Sequence, residues 1–181
     1  TVVVATDYFD AFIRNNGLEY VLTTEMTDEE ILSEFVSSTL PYKLREALKA
    51  YVRTVSGPLA VRSSSKLEDS HYQPFAGIYS TYMIPYTEGN EDRQLRLLQK
   101  AIKSVYASTY FAASKAYVQS SQNLIAEEKM AVVIQEVCGT EQNGLFFPTF
   151  SGVARSINYY PIGDEAPEDG VCNVAMGLGT L

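Results

Sequence analysis

Apolar residues recur at the spacing of an amphipathic helix in four segments of the first two thirds of the chain. Thr27 and Glu30 have the spacing of a capping box, in which a hydroxyl and a carboxylate satisfy free backbone N–H groups at the start of a helix. The predicted helices cover residues 6–17, 27–35, 41–57 and 91 to about 120, with the first capped by Thr6 or Asp7 and stopped at Gly17.

Runs of β-forming residues predict six strands, and the Asn143-Gly144 pair is a typical hairpin turn. Residues 62–71 are polar and are predicted as a loop. The predicted strands cover residues 2–5, 59–61, 78–84, 130–134, 151–160 and 171–176. Helices mixed with hairpins indicate an α+β fold rather than a doubly wound sheet. We expect a helical and sheet lobe at about 1–128 and the start of a second, hairpin-rich lobe at about 129–181.

The charge balance narrows the classes of function. Fourteen Lys and Arg against 22 Asp and Glu give a net charge of −8, which argues against a protein that binds nucleic acid or an anionic membrane. No apolar run approaches the roughly 18 residues that a membrane span needs. Cys138 and Cys172 are too few for a disulfide framework, and we interpret them as buried free thiols in a reducing compartment, the cytoplasm.

The sequence lacks several familiar catalytic and metal-binding motifs. His71 is the single histidine, and we interpret it as a solvated loop residue; a catalytic pair with Cys138 is the less favoured alternative. One His and two distant Cys do not have the spacing of a metal site, and there is neither a P-loop nor a Gly-x-Ser-x-Gly elbow. Both ends are apolar rather than polar and frayed, so we expect a fragment of a longer protein.

The strongest candidate for chemistry is the step from an apolar strand into Arg62-Ser63-Ser64-Ser65. A guanidinium presents a planar fork of donors that suits two phosphate oxygens at once. The serines add hydroxyl and backbone donors beside it, a pattern typical of polyphosphate binding. A surface ion pair or a turn is the alternative, and for this motif in isolation it is the more common outcome.

Three further segments are candidates for ligand binding. Gly77 allows a close backbone approach to a ligand, with a turn or bulge glycine as an equal alternative. The segment Gln135-Glu136-Val137 ends a buried strand and either meets the edge of a purine or simply leaves the core. Ser151, Gly152 and Arg155 combine the same residue types again and predict a second phosphate-facing hairpin.

These segments occur together in an order that resembles a known family. The blocks are Val61-Arg62-Ser63-Ser64-Ser65-Lys66-Leu67-Glu68-Asp69, Phe75-Ala76-Gly77, Ser151-Gly152-Val153 and Gly177-Leu178-Gly179. They resemble the N-terminal nucleotide-binding domain of the phosphoenolpyruvate synthase and pyruvate, phosphate dikinase family, whose form is close to V-R-S-S-A-x-x-E-D-x-x-x-x-x-F-A-G. The first two blocks are the specific part, and the motifs cover about 59–179.

The resemblance implies a partial ATP-grasp-like domain of the kind that holds ATP and Mg²⁺ between two lobes. Arg62, Ser63, Gly77 and Thr81 would lie on the phosphate side, and the 135–137 segment would form the adenine-side hinge. In such enzymes ATP phosphorylates a histidine on a separate swivelling domain, which carries the phosphoryl group to pyruvate on a third domain. The catalytic histidine would therefore lie outside this chain, and the metal ligands are not identified.

The chain departs from the family pattern at several points. A Lys-bearing Gly-Gly-Lys segment would precede Thr1, Thr180 replaces a Glu that serves the metal nucleotide, and Ile78-Tyr79 stand where Gln residues are usual. The isolated chain is therefore expected to be inactive and to bind ATP weakly. The alternatives are a family member with another acceptor, such as a glucan or an antibiotic hydroxyl, a non-catalytic nucleotide sensor or interaction module, and a plain protein-binding domain.

Overall fold

The computed structural model describes residues 1–65, 68, 79–120 and 128–179. The chain forms two compact units, Thr1–Glu136 and Val137–Leu181. The units divide after Glu136, because the strand that ends there pairs with two strands of the first unit. The lobe boundary near residue 128 stays a prediction. Helices combined with antiparallel sheets give the α+β class that was predicted.

All four predicted helical segments contain helix; three differ from the prediction only at their ends, and the fourth is divided. In the described part of the first unit the helices are α1 (Thr6–Asn16), α2 (Asp28–Ser37), α3 (Tyr42–Val52), α4 (Glu91–Ser108) and α5 (Ala112–Ser120), with a 3-10 helix at Leu18–Leu22. The N-cap of α1 is Ala5 rather than Thr6 or Asp7. Gly17 ends α1 as predicted, with a φ of 62° that provides a left-handed C-cap.

The prediction of one helix over residues 91–120 is wrong, because the chain divides into α4 and α5. Asp28 Oδ1 accepts a hydrogen bond from the Ala112 backbone N–H at 2.8 Å, which satisfies a free donor at the start of α5. Ser114 Oγ donates to the Ser108 carbonyl at 2.7 Å at the end of α4. The Asp28 contact comes from a distant part of the sequence, so apolar periodicity within 91–120 does not reveal it.

Four strands of the first unit form one antiparallel sheet in the order β1-β4-β2-β3. They are β1 (Val2–Val4), β2 (Leu59–Ser65), β3 (Tyr82–Ile84) and β4 (Met130–Glu136). The prediction of a loop from Arg62 is wrong for residues 62–65, because β4 offers a backbone partner as far as the Ser65–Met130 pair. β3 is shorter than predicted, since residues 79–81 precede it without pairing in the sheet.

The core of the first unit lies between the sheet and the helices. Helices α1 and α4 pack on one face of the sheet, and α2 and α3 pack on α4. Alternate strand residues point to that face and are buried; they include Leu59, Val61, Met130, Val132 and Ile134. In the helical layer, the ring of Phe12 lies 5.7 Å from that of Phe35 and 5.5 Å from that of Tyr106, centroid to centroid.

The second unit contains two antiparallel pairs of strands in its described part. They are β5 (Thr140–Gln142) with β6 (Leu145–Phe147), and β7 (Phe150–Arg155) with β8 (Val171–Met176). The predicted Asn143-Gly144 turn joins β5 to β6, β8 has its predicted bounds, and β7 ends at Arg155, earlier than predicted. Cys138 and Cys172 are exposed, so the predicted burial of both thiols is wrong; two-stranded sheets offer too little surface to enclose them.

The helices of the described part include none that is both long enough and apolar enough to cross a membrane.

The capping box of α2 is confirmed: Thr27 Oγ1 accepts from the Glu30 N–H at 3.3 Å, and Glu30 Oε2 accepts from the Thr27 N–H at 2.8 Å. We expect Thr27→Ala to lower the free energy of unfolding by about 1 kcal/mol, because a backbone donor loses its partner. Chemical denaturation measures this, with Ser33→Ala, exposed within α2, as a control that should change stability little.

The Thr27–Glu30 capping box also makes the stability of the protein depend on pH. The Thr27 backbone hydrogen bond, assisted by the Thr27 hydroxyl, lowers the pKa of the Glu30 carboxyl below its usual range. Because the folded-state pKa is depressed, the contribution of Glu30 is present above its unfolded pKa and is lost as the pH falls through the folded pKa. The difference in stability between the wild type and Glu30→Gln should therefore shrink on acidification, and a difference independent of pH would contradict this.

Candidate functional site

In the described part of the chain, the face of the four-stranded sheet opposite the helices carries mostly apolar side chains, several of them exposed. The register places Val3, Val133 and Arg62 in one row across β1, β4 and β2, and directly paired residues point to the same face. A neighbouring row across β4, β2 and β3 consists of Gln135, Ala60 and Met83. Val3 is 61% exposed and Met83 is 51% exposed. We call this surface the outer sheet face; it consists of Val3, Ala60, Arg62, Met83, Val133 and Gln135.

Arg62 supplies a positive charge to the outer sheet face. Its side chain is exposed, while its backbone is held by pairing with Val133 and by the fully buried neighbour Val61. Among the described residues, no carboxylate lies within ion-pair distance of Arg62; the ion pairs there join Arg53 to Glu91 and Lys129 to Asp10. Within that part of the chain, the guanidinium is therefore available to an external anion.

Ser63 and Thr81 flank Arg62 in different ways. Ser63 alternates with Arg62 along β2 and so points to the other face, where its hydroxyl donates to Glu68 Oε1 at 2.8 Å. Thr81 is exposed and directly precedes Tyr82, which pairs with Val61. Thr81 is therefore one residue from the last β2–β3 pair, Val61–Tyr82, and its side chain is exposed, whereas the Ser63 hydroxyl already donates to Glu68.

A buried tyrosine anchors the chain before Thr81. Tyr79 Oη donates to Glu128 Oε1 at 3.3 Å, and both residues are buried. Burial raises the pKa of the Tyr79 phenol, and the neighbouring Glu128 carboxylate raises it further, so the phenol remains a protonated donor at neutral pH. This contact joins two segments 49 residues apart and fixes the chain two residues before Thr81.

The predicted hinge, residues 135–137, spans the end of β4 and the division between the units. Gln135 pairs with Ala60 and belongs to the outer sheet face. The Glu136 carboxylate accepts from the Ser56 N–H at 3.1 Å and from the Ser56 hydroxyl at 3.2 Å, so it holds the turn before β2. Val137 begins the second unit. The Glu136 carboxylate is thus already engaged within the chain, whereas the exposed side chain of Gln135 lies on the outer sheet face.

The predicted phosphate-facing hairpin lies on β7, with a packing constraint at its centre. Ser151 and Arg155 share one face of the strand, and Gly152 lies on the other. A Cβ at Gly152 would lie 2.4 Å from the Asn173 carbonyl oxygen on β8, closer than atoms can approach. Because Gly152 has no side chain, β7 and β8 can lie this close together.

Gly152→Ala is expected to destabilise the second unit by about 1–3 kcal/mol, because the strands must separate to admit a methyl group. Thermal unfolding of the full-length protein measures this. Val153→Ala, at the exposed next position, is the matched control and should have a much smaller effect. Equal stability of Gly152→Ala and the wild type would contradict the constraint.

Comparison with known proteins now assigns a family. The model of the pyruvate phosphate dikinase AMP/ATP-binding domain matches residues 1–181. The chain belongs to this family.

Two curated relatives of the dikinase-type domain agree with that assignment. An uncharacterized phosphotransferase, YvkC, of Bacillus subtilis (strain 168) is 31% identical over 152 residues, which cover 80% of this chain and 16% of the relative. A phosphoenolpyruvate synthase of Aeropyrum pernix is 33% identical over 131 residues, covering 68% of this chain and 15% of the relative. The chain thus spans about a sixth of the length of the curated relatives it matches.

The resemblance read from the motifs is therefore confirmed, and the chain is an AMP/ATP-binding domain of a phosphotransferase family. Several residues discussed from the sequence lie outside the described residues: Lys66, Leu67, Asp69, His71, Phe75, Ala76, Gly77, Ile78 and Thr180. Within the described ranges, no three His, Cys, Asp or Glu side chains come together as a group that could hold a metal ion.

Sequence reasoning missed most of the apolar part of the outer sheet face in this dikinase-family domain. Val3, Met83 and Val133 come from three strands that are far apart in sequence. Alternation along each strand indicates which side chains share a face, but only the strand order and register bring the three strands together. Glu68, which lies in the segment predicted as a polar loop, is half-buried and accepts two hydrogen bonds.

Proposed function

We propose that the outer sheet face binds ATP, with the Arg62 guanidinium on the phosphates. The observation that carries this proposal is the row in which Arg62 lies beside the apolar side chains of Val133 and Val3. A planar guanidinium suits two phosphate oxygens, and apolar side chains suit the faces of a purine. The backbone of residues 135–137 and the side chain of Gln135 would then meet the adenine edge.

The other predicted phosphate contacts differ in how far the described residues support them. Thr81 directly precedes Tyr82, which pairs with Val61, and would offer a hydroxyl donor near Arg62. Ser63 would contribute through its backbone, since its hydroxyl donates to Glu68. Gly77 remains a predicted member of the phosphate side. The proposal makes the chain a partial ATP-grasp-like domain. Ser151, Gly152 and Arg155 stay predicted phosphate contacts, and ATP binding by the outer sheet face does not depend on them.

In the full-length protein, we propose that one phosphoryl group of ATP passes to a histidine on another domain and then to pyruvate, that water releases the other as inorganic phosphate, and that AMP remains. The name of the Aeropyrum relative, a phosphoenolpyruvate synthase, supports pyruvate as the acceptor. Arg62 would hold the phosphate chain and offset the negative charge that develops during transfer. Free thiols suit the cytoplasm as the place of this reaction.

Magnesium is the metal expected with ATP in such a reaction. The described residues do not fit a complete site for it: they contain no group of three ligands, and both oxygens of Glu68 are engaged by the chain itself. Magnesium prefers oxygen ligands and commonly retains waters and substrate phosphates. No step of the proposal is assigned to the metal.

Product analysis of the full-length protein tests the proposed reaction. The protein is incubated with Mg-ATP, with and without pyruvate, and the nucleotide products are separated. Formation of AMP that depends on pyruvate would support dikinase-type transfer. AMP that forms only with a glucan or an antibiotic would move the proposal to another acceptor. Binding of ATP without any turnover would refute the transfer step and favour a nucleotide sensor.

A further inference from the structure

A single carboxylate holds the end of β2 directly after Arg62. The Ser63 hydroxyl donates to Glu68 Oε1 at 2.8 Å, and the Ser65 backbone N–H donates to Glu68 Oε2 at 3.0 Å. Glu68 is half-buried, and both of its oxygens are engaged. Hydrogen bonds to a charged acceptor are stronger than those between neutral groups, so the pair restrains the strand firmly.

In the described residues this stretch of β2 has a strand partner on one side only. β3 pairs with β2 no further than Val61, whereas β4 pairs with it as far as Ser65. In an antiparallel ladder each residue directs its N–H and C=O toward one neighbouring strand, and the direction alternates. The Ser65 N–H donates to Glu68 and therefore points away from β4. Glu68 thus occupies the place that a neighbouring strand would take.

We infer that Glu68 is a positioning residue for the nucleotide site. Its two hydrogen bonds keep residues 63–65 extended and thereby hold Arg62 on the outer sheet face. Arg62 and Ser63 point to opposite faces of β2, so the carboxylate acts on Arg62 through the backbone rather than by touching ATP. The inference rests on the proposed role of Arg62 as a phosphate ligand.

Calorimetric titration of the full-length protein with ATP and with adenosine tests the inference. Glu68→Ala is expected to weaken ATP binding about tenfold and to leave adenosine binding nearly unchanged, because only the phosphate contact loses its support. Glu68→Gln should retain most of the ATP affinity, since its amide oxygen can accept from the Ser65 N–H and its amide nitrogen can donate to the Ser63 hydroxyl. Glu46→Ala, exposed on α3, is the control.

Three results would overturn the inference. They are unchanged ATP affinity in Glu68→Ala, equal losses in Glu68→Ala and Glu68→Gln, and equal losses for ATP and adenosine. The second would mean that the negative charge matters rather than the position. Ser63→Ala removes one of the two hydrogen bonds and should give a smaller loss confined to ATP; if Glu68→Ala does not fold, this variant decides.

Arg62→Ala is measured beside these variants to distinguish failure of the proposed ATP binding by Arg62 from failure of the positioning role of Glu68. Normal ATP affinity in Arg62→Ala would refute the proposed function and the role of Glu68 with it. A loss in Arg62→Ala together with normal affinity in Glu68→Ala would refute only the positioning role.

Discussion

Arg62→Ala is expected to weaken ATP binding by the full-length protein about 10- to 100-fold, the effect of losing a charge-assisted hydrogen-bond donor. Adenosine, which lacks phosphates, should bind the variant as well as it binds the wild type. The side chain is exposed and has no ion-pair partner among the described residues, so thermal stability should hardly change. Calorimetry with both ligands, together with a melting curve, measures these effects.

Two variants make the Arg62 result specific. Arg62→Lys should recover part of the ATP affinity, because an ammonium keeps the charge but lacks the planar fork of donors. Arg96→Ala removes the same charge from an exposed position on α4 and should leave binding unchanged. If Arg62→Ala and Arg96→Ala bind ATP equally well, Arg62 is not a phosphate ligand.

Phe12→Ala is expected to be the most destabilising of the substitutions discussed, with a loss of about 3–5 kcal/mol. Phe12 is 0% exposed, and its ring contacts those of Phe35 and Tyr106. Truncation therefore removes buried apolar contacts and leaves a cavity between helices. Because natural domains are stable by only about 5–15 kcal/mol, this variant should unfold at a much lower denaturant concentration than the wild type.

An exposed aromatic residue of the same unit serves as the control for Phe12. Tyr42 is 68% exposed, and Tyr42→Ala should change the free energy of unfolding by less than about 0.5 kcal/mol. Denaturation curves of both variants are compared at the same protein concentration. Similar midpoints for Phe12→Ala and Tyr42→Ala would mean that Phe12 is not part of the core.

Local signals in the sequence were sufficient for features that depend on neighbouring residues. The capping box of Thr27 and Glu30, the stop at Gly17 and the hairpin turn at Asn143-Gly144 are all present. Each involves groups within a few residues of one another, so residue type and spacing determine it. The family resemblance had the same basis, since its motifs are short and ordered along the chain.

Features that depend on distant partners were not predictable in the same way. The helix over 91–120 divides because Asp28 caps Ala112, and β2 continues to Ser65 because Met130 lies opposite it. The outer sheet face likewise needs the strand order β1-β4-β2-β3 before Val3 and Arg62 become neighbours. A sequence pattern indicates that a residue is on a face, but the partner strand determines what shares that face.

The central claim is that ATP occupies the outer sheet face, and a methyl signal on that face tests it directly. Among the four methionines of the chain, Met83 lies there, whereas Met130 is fully buried on the opposite face. Full-length protein with isotope-labelled methionine methyl groups is titrated with ATP, and Met83→Leu assigns the signal. We expect the Met83 signal to shift and saturate with ATP in the wild type, and to do so at higher ATP concentrations in Arg62→Ala. An unchanged Met83 signal while calorimetry records ATP binding would contradict the account.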